Sequence, residues 1–176
     1  MSGHNKWSKI KNKKAVTDAA KSKIFSKMAK LISTASKQTK GDVTSPVLRT
    51  AMDKAREYNM PADNIERAVK KGAGTDAETL EAITYEAYGP GGSALVIEAL
   101  TDNRNKAAQE VKFILSNHGF ALAAPGSATW AFTKEGGEWK PNTIIPLSEE
   151  DGKVLENLIG ELEENDEVQD VYTNAV

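Results

Sequence analysis

The chain has 176 residues, of which 39% are hydrophobic and 27% are charged, and its formal net charge is −2. This composition is typical of a soluble globular protein with one ordinary domain or two small ones. The absence of cysteine excludes disulfides and cysteine–metal sites and favours a reducing, intracellular compartment. No apolar run approaches the roughly 20 residues that span a bilayer, and none follows the N-terminal charges as in a secretory signal, so no membrane partner is expected.

The charge is divided unevenly along the chain. Residues 1–73 contain 17 Lys or Arg and 6 Asp or Glu, whereas residues 74–176 contain 6 and 19. Residues 1–40 hold eleven lysines, one acidic residue and no arginine. This asymmetry predicts a polyanionic partner, either nucleic acid or the ribosome. The alternatives are solvated surface charge and a mitochondrial transit peptide, although such peptides favour arginine and the first one here is Arg49.

The first 16 residues are expected to form a flexible basic arm, because their few apolar side chains cannot offset the entropy lost on ordering. Its lysines would contact phosphates, and Trp7 would either stack on a base or anchor the arm. The predicted helix that follows adds lysines away from its apolar stripe. The candidate nucleic-acid-binding residues of this region are His4, Lys6, Trp7, Lys9, Lys11, Lys13, Lys14, Lys23, Lys27 and Lys30.

Residues 17–73 are predicted to form a three-helix domain. The first helix, over residues 18–36, is indicated by apolar residues that recur at helical spacing. Ser45 and Pro46 are expected to cap and open the second helix. The third helix is short, and Gly72 is expected just beyond its end, at the C′ position.

Residues 80–176 are predicted to form an α+β domain. Alternating residues after Leu80 predict a half-buried strand, and the apolar run Ala94–Leu100 predicts a central one. Gly89–Gly92, between them, is interpreted as a tight turn. It lacks the Gly-Lys-Ser/Thr of a phosphate-binding loop and does not lead into a helix. A helix with an apolar stripe is predicted after Asn105.

The remaining predicted elements are shorter. Ser127–Phe132 is expected to be a strand, with Trp130 and Phe132 on the same face. Gly136–Trp139 should form a turn, and Thr143–Leu147 a short strand. Ser148 should cap a helix that precedes a last strand. The element order ββαβ(β)αβ predicts an α+β sandwich, with an antiparallel or mixed sheet and two helices on one of its faces.

The polar loop Thr101–Asn105 is a second candidate site. Asp102 or Asn103 can cap the following helix, which is the simpler interpretation. Asn103, Arg104 and Asn105 also suit sugar, phosphate and base edges, and a helix N-terminus favours an anion. These three residues are therefore included among the nucleic-acid-binding candidates.

No catalytic residue, metal site or cofactor is predicted. His4 and His118 are the two histidines of the chain, and neither has metal-ligand spacing or lies in a nucleophile motif. The segment Glu149–Asp170 holds ten acidic residues and one lysine. It is either a solvated helix face or a surface that mimics nucleic acid or repels wrong partners. An alternative function is therefore an adaptor whose acidic C-terminal domain binds a protein.

Short motifs distributed over the whole chain carry a family resemblance. They are Gly3–Lys11, Lys23–Phe25, Asn59–Pro61, Asn64–Ala68, Tyr88–Gly92, Thr101–Asn105 and Tyr172–Ala175. Together they resemble the YebC-type family, whose bacterial members are called probable transcriptional regulatory proteins and whose mitochondrial relatives act as translational activators. The resemblance implies a helical N-terminal domain, an α+β domain, a cytoplasmic location, no enzymatic activity, and regulation linked to nucleic acid or the ribosome.

One departure from that family concerns an additional α+β domain, which typical members carry inserted within the second domain. Here Phe132 leads through Gly136–Trp139 almost directly to Pro141–Leu147, so we expect the insertion to be absent near residues 133–141. The expected organisation is a flexible basic arm (1–16), a helical domain (17–73) and an α+β domain (80–176).

These inferences predict a non-enzymatic factor that regulates gene expression by binding nucleic acid. It would bind DNA as a transcriptional regulator, or ribosomal RNA and the ribosome as a translation factor. Translation is favoured because lysine-rich arms suit the dense phosphate surface of ribosomal RNA. In addition, no helix presents a clear set of base-reading residues for a major groove. We expect a monomer that needs no cofactor.

Overall fold

A computed structural model of the protein describes residues 18–176. The described chain divides into two compact units, residues 18–81 and residues 82–176. The first is called the helical unit below and the second the α+β unit. Each has its own buried apolar core, so each is described by itself.

The helical unit is built from α1 (Asp18–Thr39), α2 (Pro46–Glu57) and α3 (Ala62–Ala73). Their apolar stripes meet in one core, whose most deeply buried members are Met28, Ile32, Leu48, Ala51, Ala55, Met60, Ile65 and Ala68. The predicted three-helix fold is confirmed. Ser45 occupies the N-cap position before Pro46, but its side chain makes no capping hydrogen bond, contrary to the expected serine cap. Its carbonyl accepts from Arg49 N instead.

Gly72 lies inside α3 and is buried, so its expected place beyond the end of the helix is wrong. A Cβ atom at this position would lie 2.2 Å from the backbone oxygen of Ser33. The contact is tied by two side-chain hydrogen bonds, from Ser33 Oγ to Ala68 O (3.2 Å) and from Ser36 Oγ to Val69 O (2.6 Å). Small residues therefore let α1 and α3 approach closely, and this close approach is what glycine permits here.

The α+β unit contains, in chain order, β1 (Glu81–Tyr88), β2 (Ala94–Thr101), α4 (Arg104–Asn117), β3 (Leu122–Ala123), β4 (Phe132–Glu135), β5 (Glu138–Pro141), α5 (Glu149–Glu164) and β6 (Val168–Thr173). Within the described residues, four strands form a sheet in the order β3-β1-β2-β6. The pairs β1–β3 and β2–β6 are antiparallel, with Val96 opposite Tyr172. Five residues join the neighbours β1 and β2, which only an antiparallel pair allows. The predicted α+β class is confirmed.

Both faces of β2 are covered, which explains its continuous apolar sequence. Leu95 and Ile97 pack in the core formed with α4 and α5. Val96 points to the opposite face and packs with Phe132 and Tyr172, against the β4–β5 hairpin. The two helices on one face were predicted, whereas the hairpin cover on the other face was not.

Two predicted strands are wrong. In the first, residues 129–131 form a single 3₁₀ turn, and β4 begins only at Phe132. Trp130 and Phe132 consequently differ in burial: Trp130 is 58% exposed and Phe132 only 5%. In the second, residues 143–147 form one isolated parallel bridge, between Ile145 and Ala175. The hydrogen bonds of this segment run from Ile145 N to Asn174 O, from Val176 N to Ile145 O and from Leu147 N to Val176 O.

Candidate nucleic-acid interface

The candidate residues of the basic arm, His4, Lys6, Trp7, Lys9, Lys11, Lys13 and Lys14, lie outside the described residues. The three candidates on α1 differ from one another: Lys23 is exposed, Lys30 is half-buried, and Lys27 is only 7% exposed. The prediction that Lys27 extends the exposed basic surface is therefore wrong. Lys27 comes three residues after Ile24 and four before Leu31, so it lies at the flank of the apolar stripe, where an aliphatic stem is readily buried.

A groove of about 560 Å³ runs between α1 and α3. On the α1 side, Ser22, Ser26 and Ser33 recur at helical spacing and present hydroxyl groups. On the α3 side, Arg67 and Lys71 are four residues apart, so their side chains project from the same face. Lys30 and Asn64 also line the groove, and Glu78 is an acidic residue of its wall. The groove thus combines hydroxyl and amide groups and three cations with apolar side chains, among them Phe25, Met60 and Leu80.

The electrostatics of α3 differ between its two sides. Lys70 forms an ion pair with Glu66, with 3.1 Å between Lys70 Nζ and Glu66 Oε1. Arg67 and Lys71 are exposed and have no carboxylate partner within residues 18–176. Neither charge is therefore neutralised by an ion pair with the described part of the chain, and an anion in the groove would meet both cations, with Glu78 as the acidic residue of the same wall.

The segment after α3 closes one wall of the groove. Ala77, Glu78 and Leu80 line it. Lys37, from the last turn of α1, donates from Nζ to Ala77 O (3.1 Å) and to Thr79 Oγ1 (2.7 Å). The segment that follows α3 is thus fastened to α1 by the side chain of Lys37.

Asn64, Arg67 and Lys71 are candidate residues that the sequence analysis missed. In sequence they are read as ordinary residues of a short helix, since cations near a helix C-terminus are explained by the helix dipole. The available signal was the i, i+4 spacing of Arg67 and Lys71. That spacing identifies a shared face but does not say that the face borders a groove.

The loop at the start of α4 is the second predicted contact. Asn103 is its N-cap: Asn103 Oδ1 accepts from Lys106 N at 3.1 Å, and Thr101 Oγ1 accepts from Asn103 N at 2.9 Å. The side-chain oxygen of Asn103 is therefore engaged in the fold. Arg104 and Asn105 are exposed beside it.

Acidic neighbours offset the positive charge of this loop. Lys106 Nζ lies 3.2 Å from Glu167 Oε1, and this hydrogen bond raises the pKa of Lys106, with further attraction from Glu167, Glu110 and Asp102. Fewer cationic groups therefore remain for a phosphate here than in the groove between α1 and α3.

Two further properties limit what the described residues can do. No group of three or more histidine or carboxylate side chains among residues 18–176 is arranged to hold a metal ion. None of the helices in this part of the chain is long and apolar enough to cross a membrane.

Comparison with known proteins assigns the chain to a family. The family model described as "TACO1/YebC protein N-terminal domain" matches residues 5–75. The model described as "TACO1/YebC second and third domain" matches residues 80–138 and 136–175. A crystal structure of a conserved hypothetical protein, Aq1575 from Aquifex aeolicus, superposes with a TM-score of 0.77 at 28% identity, covering 90% of this chain and 91% of that one.

Curated relatives agree with this assignment. A protein of Fervidobacterium nodosum is 52% identical over 138 residues, covering 77% of this chain and 55% of that protein. A protein of Thermoanaerobacter pseudethanolicus, Teth39_1009, is 37% identical over 238 residues, covering 99% of this chain and 97% of that protein. Several of the relatives are thus matched over only about half of their length. All of these relatives are named probable transcriptional regulatory proteins, which indicates a regulatory role in the family. The chain belongs to the TACO1/YebC family.

Proposed function

We propose that this protein is a non-enzymatic regulatory factor that binds nucleic acid through its helical unit. The observation that carries the proposal is the groove between α1 and α3, where Lys30, Arg67 and Lys71 lie together. Arg67 and Lys71 have no described carboxylate partner, so phosphate oxygens are the natural counter-charges for them.

The basic arm is proposed to supply further phosphate contacts. Five lysines lie within the first 14 residues, which contain no acidic residue. Lys6, Lys9, Lys11, Lys13 and Lys14, with His4 and Trp7, would add phosphate contacts and one base-stacking ring. On α1, Lys23 and Lys30 are retained as candidates, whereas the buried Lys27 is not.

The nucleic acid is proposed to be ribosomal RNA, with promoter DNA as the alternative. The names of the relatives favour transcription. Against this, the cations of the groove sit among serine hydroxyls and one asparagine, and such a surface holds backbone phosphate and sugar better than it discriminates bases. Crosslinking in cells followed by sequencing separates the two possibilities: recovery of ribosomal RNA supports translation, and enrichment of promoter DNA overturns that choice.

Arg104 and Asn105 are proposed as a second, weaker contact. Both are exposed at the start of α4, where backbone N–H groups favour an anion. Asn103 remains a candidate only in the sense that it shapes this loop as the N-cap of α4.

The organisation of the whole chain is proposed to be that of a short form, in which a flexible arm precedes two domains and the inserted domain is absent. The tight turn Gly136-Gly137 between β4 and β5 supports this. So does the alignment with Teth39_1009, which runs over 238 residues while this chain has 176. We further propose that the protein acts as a cytoplasmic monomer.

The groove can be tested by the salt dependence of binding to a double-stranded DNA and to a ribosomal RNA fragment. The variant Arg67→Gln with Lys71→Gln removes two charges from the groove. Lys40→Gln with Arg49→Gln removes two exposed charges of the same unit that do not line it. The first variant should reduce the magnitude of the log–log salt slope by about 1.5 to 2, and the control by much less than about 1. Equal slopes for the two variants, or wild-type binding that barely changes between about 50 and 200 mM salt, would contradict the proposal.

A further inference from the structure

Two aromatic side chains form an exposed pair on the α+β unit. Trp130, in the 3₁₀ turn before β4, is 58% exposed, and Tyr88, at the end of β1, is 37% exposed. Trp130 Nε1 donates a hydrogen bond to Tyr88 Oη at 2.8 Å. Tyr88 Oη in turn donates to Ser127 O at 2.5 Å. The polar groups of both rings are thus satisfied within the chain, and what remains exposed is mainly apolar ring surface.

The turn that carries Trp130 is held by a buried carboxylate. Glu86, only 5% exposed, accepts backbone N–H groups from Gly126 (2.7 Å), Ala128 (3.0 Å) and Thr129 (2.7 Å). Three charge-assisted bonds to consecutive parts of one turn fix its backbone. The exposed indole is therefore held in position before any partner arrives, which lowers the entropy cost of binding there.

The charge of the α+β unit restricts the choice of partner. Residues 82–176 contain 16 acidic and 6 basic residues, so the net charge of this unit favours a cationic partner over a polyanion at the aromatic pair. A second copy of the same unit would be repelled for the same reason. A cationic segment is attracted by the net negative charge of the unit and also by the negative faces of the two rings. The same unit already contains one such cation–π contact, in which Lys134 Nζ lies 5.1 Å from the centroid of the Trp139 ring.

We propose that Trp130 and Tyr88 form a docking surface for an arginine-bearing segment of a partner protein. A guanidinium would stack on the indole face, because a planar and weakly hydrated cation suits an aromatic ring better than an ammonium does. This surface lies on the α+β unit and does not depend on the nucleic-acid-binding groove of the helical unit.

The probe is a short peptide of alternating arginine and glycine, titrated into the full chain and followed by calorimetry. Trp130→Ala should weaken binding about tenfold, while Trp130→Phe, which keeps a ring, should lose much less. The matched control is Phe113→Ala. Phe113 is a 65% exposed aromatic residue of α4 in the same acidic unit, so non-specific attraction is equal in both variants. Tyr88→Phe keeps both rings but removes the hydrogen bonds of Tyr88 Oη, and should give an intermediate loss.

Several results would overturn the proposal. One is an affinity for the peptide that is the same in Trp130→Ala and Phe113→Ala, and another is no measurable binding by the wild type. If a single-stranded oligouridine binds more weakly to Trp130→Ala than to Phe113→Ala, the pair stacks on nucleobases instead. If sedimentation shows a wild-type dimer that Trp130→Ala dissociates, the occupant is a second copy of the chain. Circular dichroism of each variant serves as the control that the variant is folded.

Discussion

The helical unit and the α+β unit pack their elements together by different means. In the helical unit, small residues at the α1–α3 contact let two backbones approach, with a Cβ at Gly72 only 2.2 Å from Ser33 O. In the α+β unit, large apolar side chains fill both faces of a sheet. The first arrangement leaves a groove along the contact, which is lined by cations. The difference suggests that each unit binds a different kind of partner.

The two units also differ in how they place charge. Arg67 and Lys71 of the helical unit have no carboxylate partner within residues 18–176. In the α+β unit, carboxylates organise the fold: Glu86 fixes the turn before β4, and Glu98 Oε1 accepts from Trp139 Nε1 of the covering hairpin at 2.5 Å. Charge in the first unit is thus available for ligands, while part of the charge in the second is used in the structure.

The largest effect is expected from Gly72→Ala. The added methyl group must push α1 and α3 apart, which should cost about 3 kcal/mol in spite of the better helix propensity of alanine. The matched control is Gly152→Ala in α5, where a Cβ meets no atom within 4 Å, so stability should rise by up to about 1 kcal/mol. Hydrogen exchange of amides in each unit measures both changes. If Gly72→Ala left the stability of the helical unit unchanged, the inferred close packing of α1 against α3 would be contradicted.

A smaller loss is expected from Glu86→Gln. Burial raises the pKa of the Glu86 carboxyl, but the backbone hydrogen bonds from Gly126, Ala128 and Thr129 lower it more, and its net pKa lies below the ordinary value of 4.5. Replacing the carboxylate by a neutral amide should lower the free energy of unfolding by about 1 to 3 kcal/mol near neutral pH. Hydrogen exchange of the three donor amides should speed up in the variant.

The same substitution has a signed pH dependence. Because the folded pKa of Glu86 is below the unfolded one, the charged group stabilises the fold above about pH 4.5, and this contribution is lost as the pH falls through the folded pKa. The stability difference between wild type and Glu86→Gln should therefore shrink as the solution is acidified. A difference that stays constant between neutral pH and about pH 3 would show that the charge of Glu86 is not what holds the turn.

The smallest effect separates structure from binding at the start of α4. Asn103→Ala removes the N-cap and should cost about 1 kcal/mol of stability while leaving nucleic-acid affinity nearly unchanged. Arg104→Ala should weaken nucleic-acid binding while leaving the stability nearly unchanged. Urea unfolding and binding titrations on both variants measure this contrast. A larger affinity loss in Asn103→Ala than in Arg104→Ala would show that Arg104 is not the residue that contacts phosphate.

Local sequence patterns predicted much of the fold, because the determinants were local. Apolar residues at helical spacing identified the three helices of the helical unit. Ser148 was predicted as a cap, and its Oγ accepts from Asp151 N at 3.1 Å. A turn was predicted at Gly136–Trp139: Gly136 and Gly137 form it with positive φ, whereas Glu138 and Trp139 belong to β5. In each case, residues within a few positions of one another decide the conformation.

Most of the missed features depend on residues far apart in sequence. The groove requires α1 and α3 to be placed side by side, and Gly72 was misassigned because its constraint comes from Ser33, on another helix. The turn at residues 129–131 is held by Glu86, more than forty positions earlier. Alternation near Trp130 suggested a strand because this long-range anchor cannot be seen in a local window. The burial of Lys27 likewise follows from tertiary packing and not from its charge.

The tip of the β4–β5 hairpin has a consequence for how this architecture can change. Gly136 and Gly137 have φ values of 58° and 82°, and a Cβ at either position would meet no atom within 4 Å. The paired residues Glu135 and Glu138 hold the two chain ends close together on either side of this tip. An extra folded module with neighbouring termini could be spliced in or excised here without disturbing the core. The tip of the hairpin is therefore a position at which the chain can accommodate or lose an inserted domain, and a suitable place to graft a reporter protein.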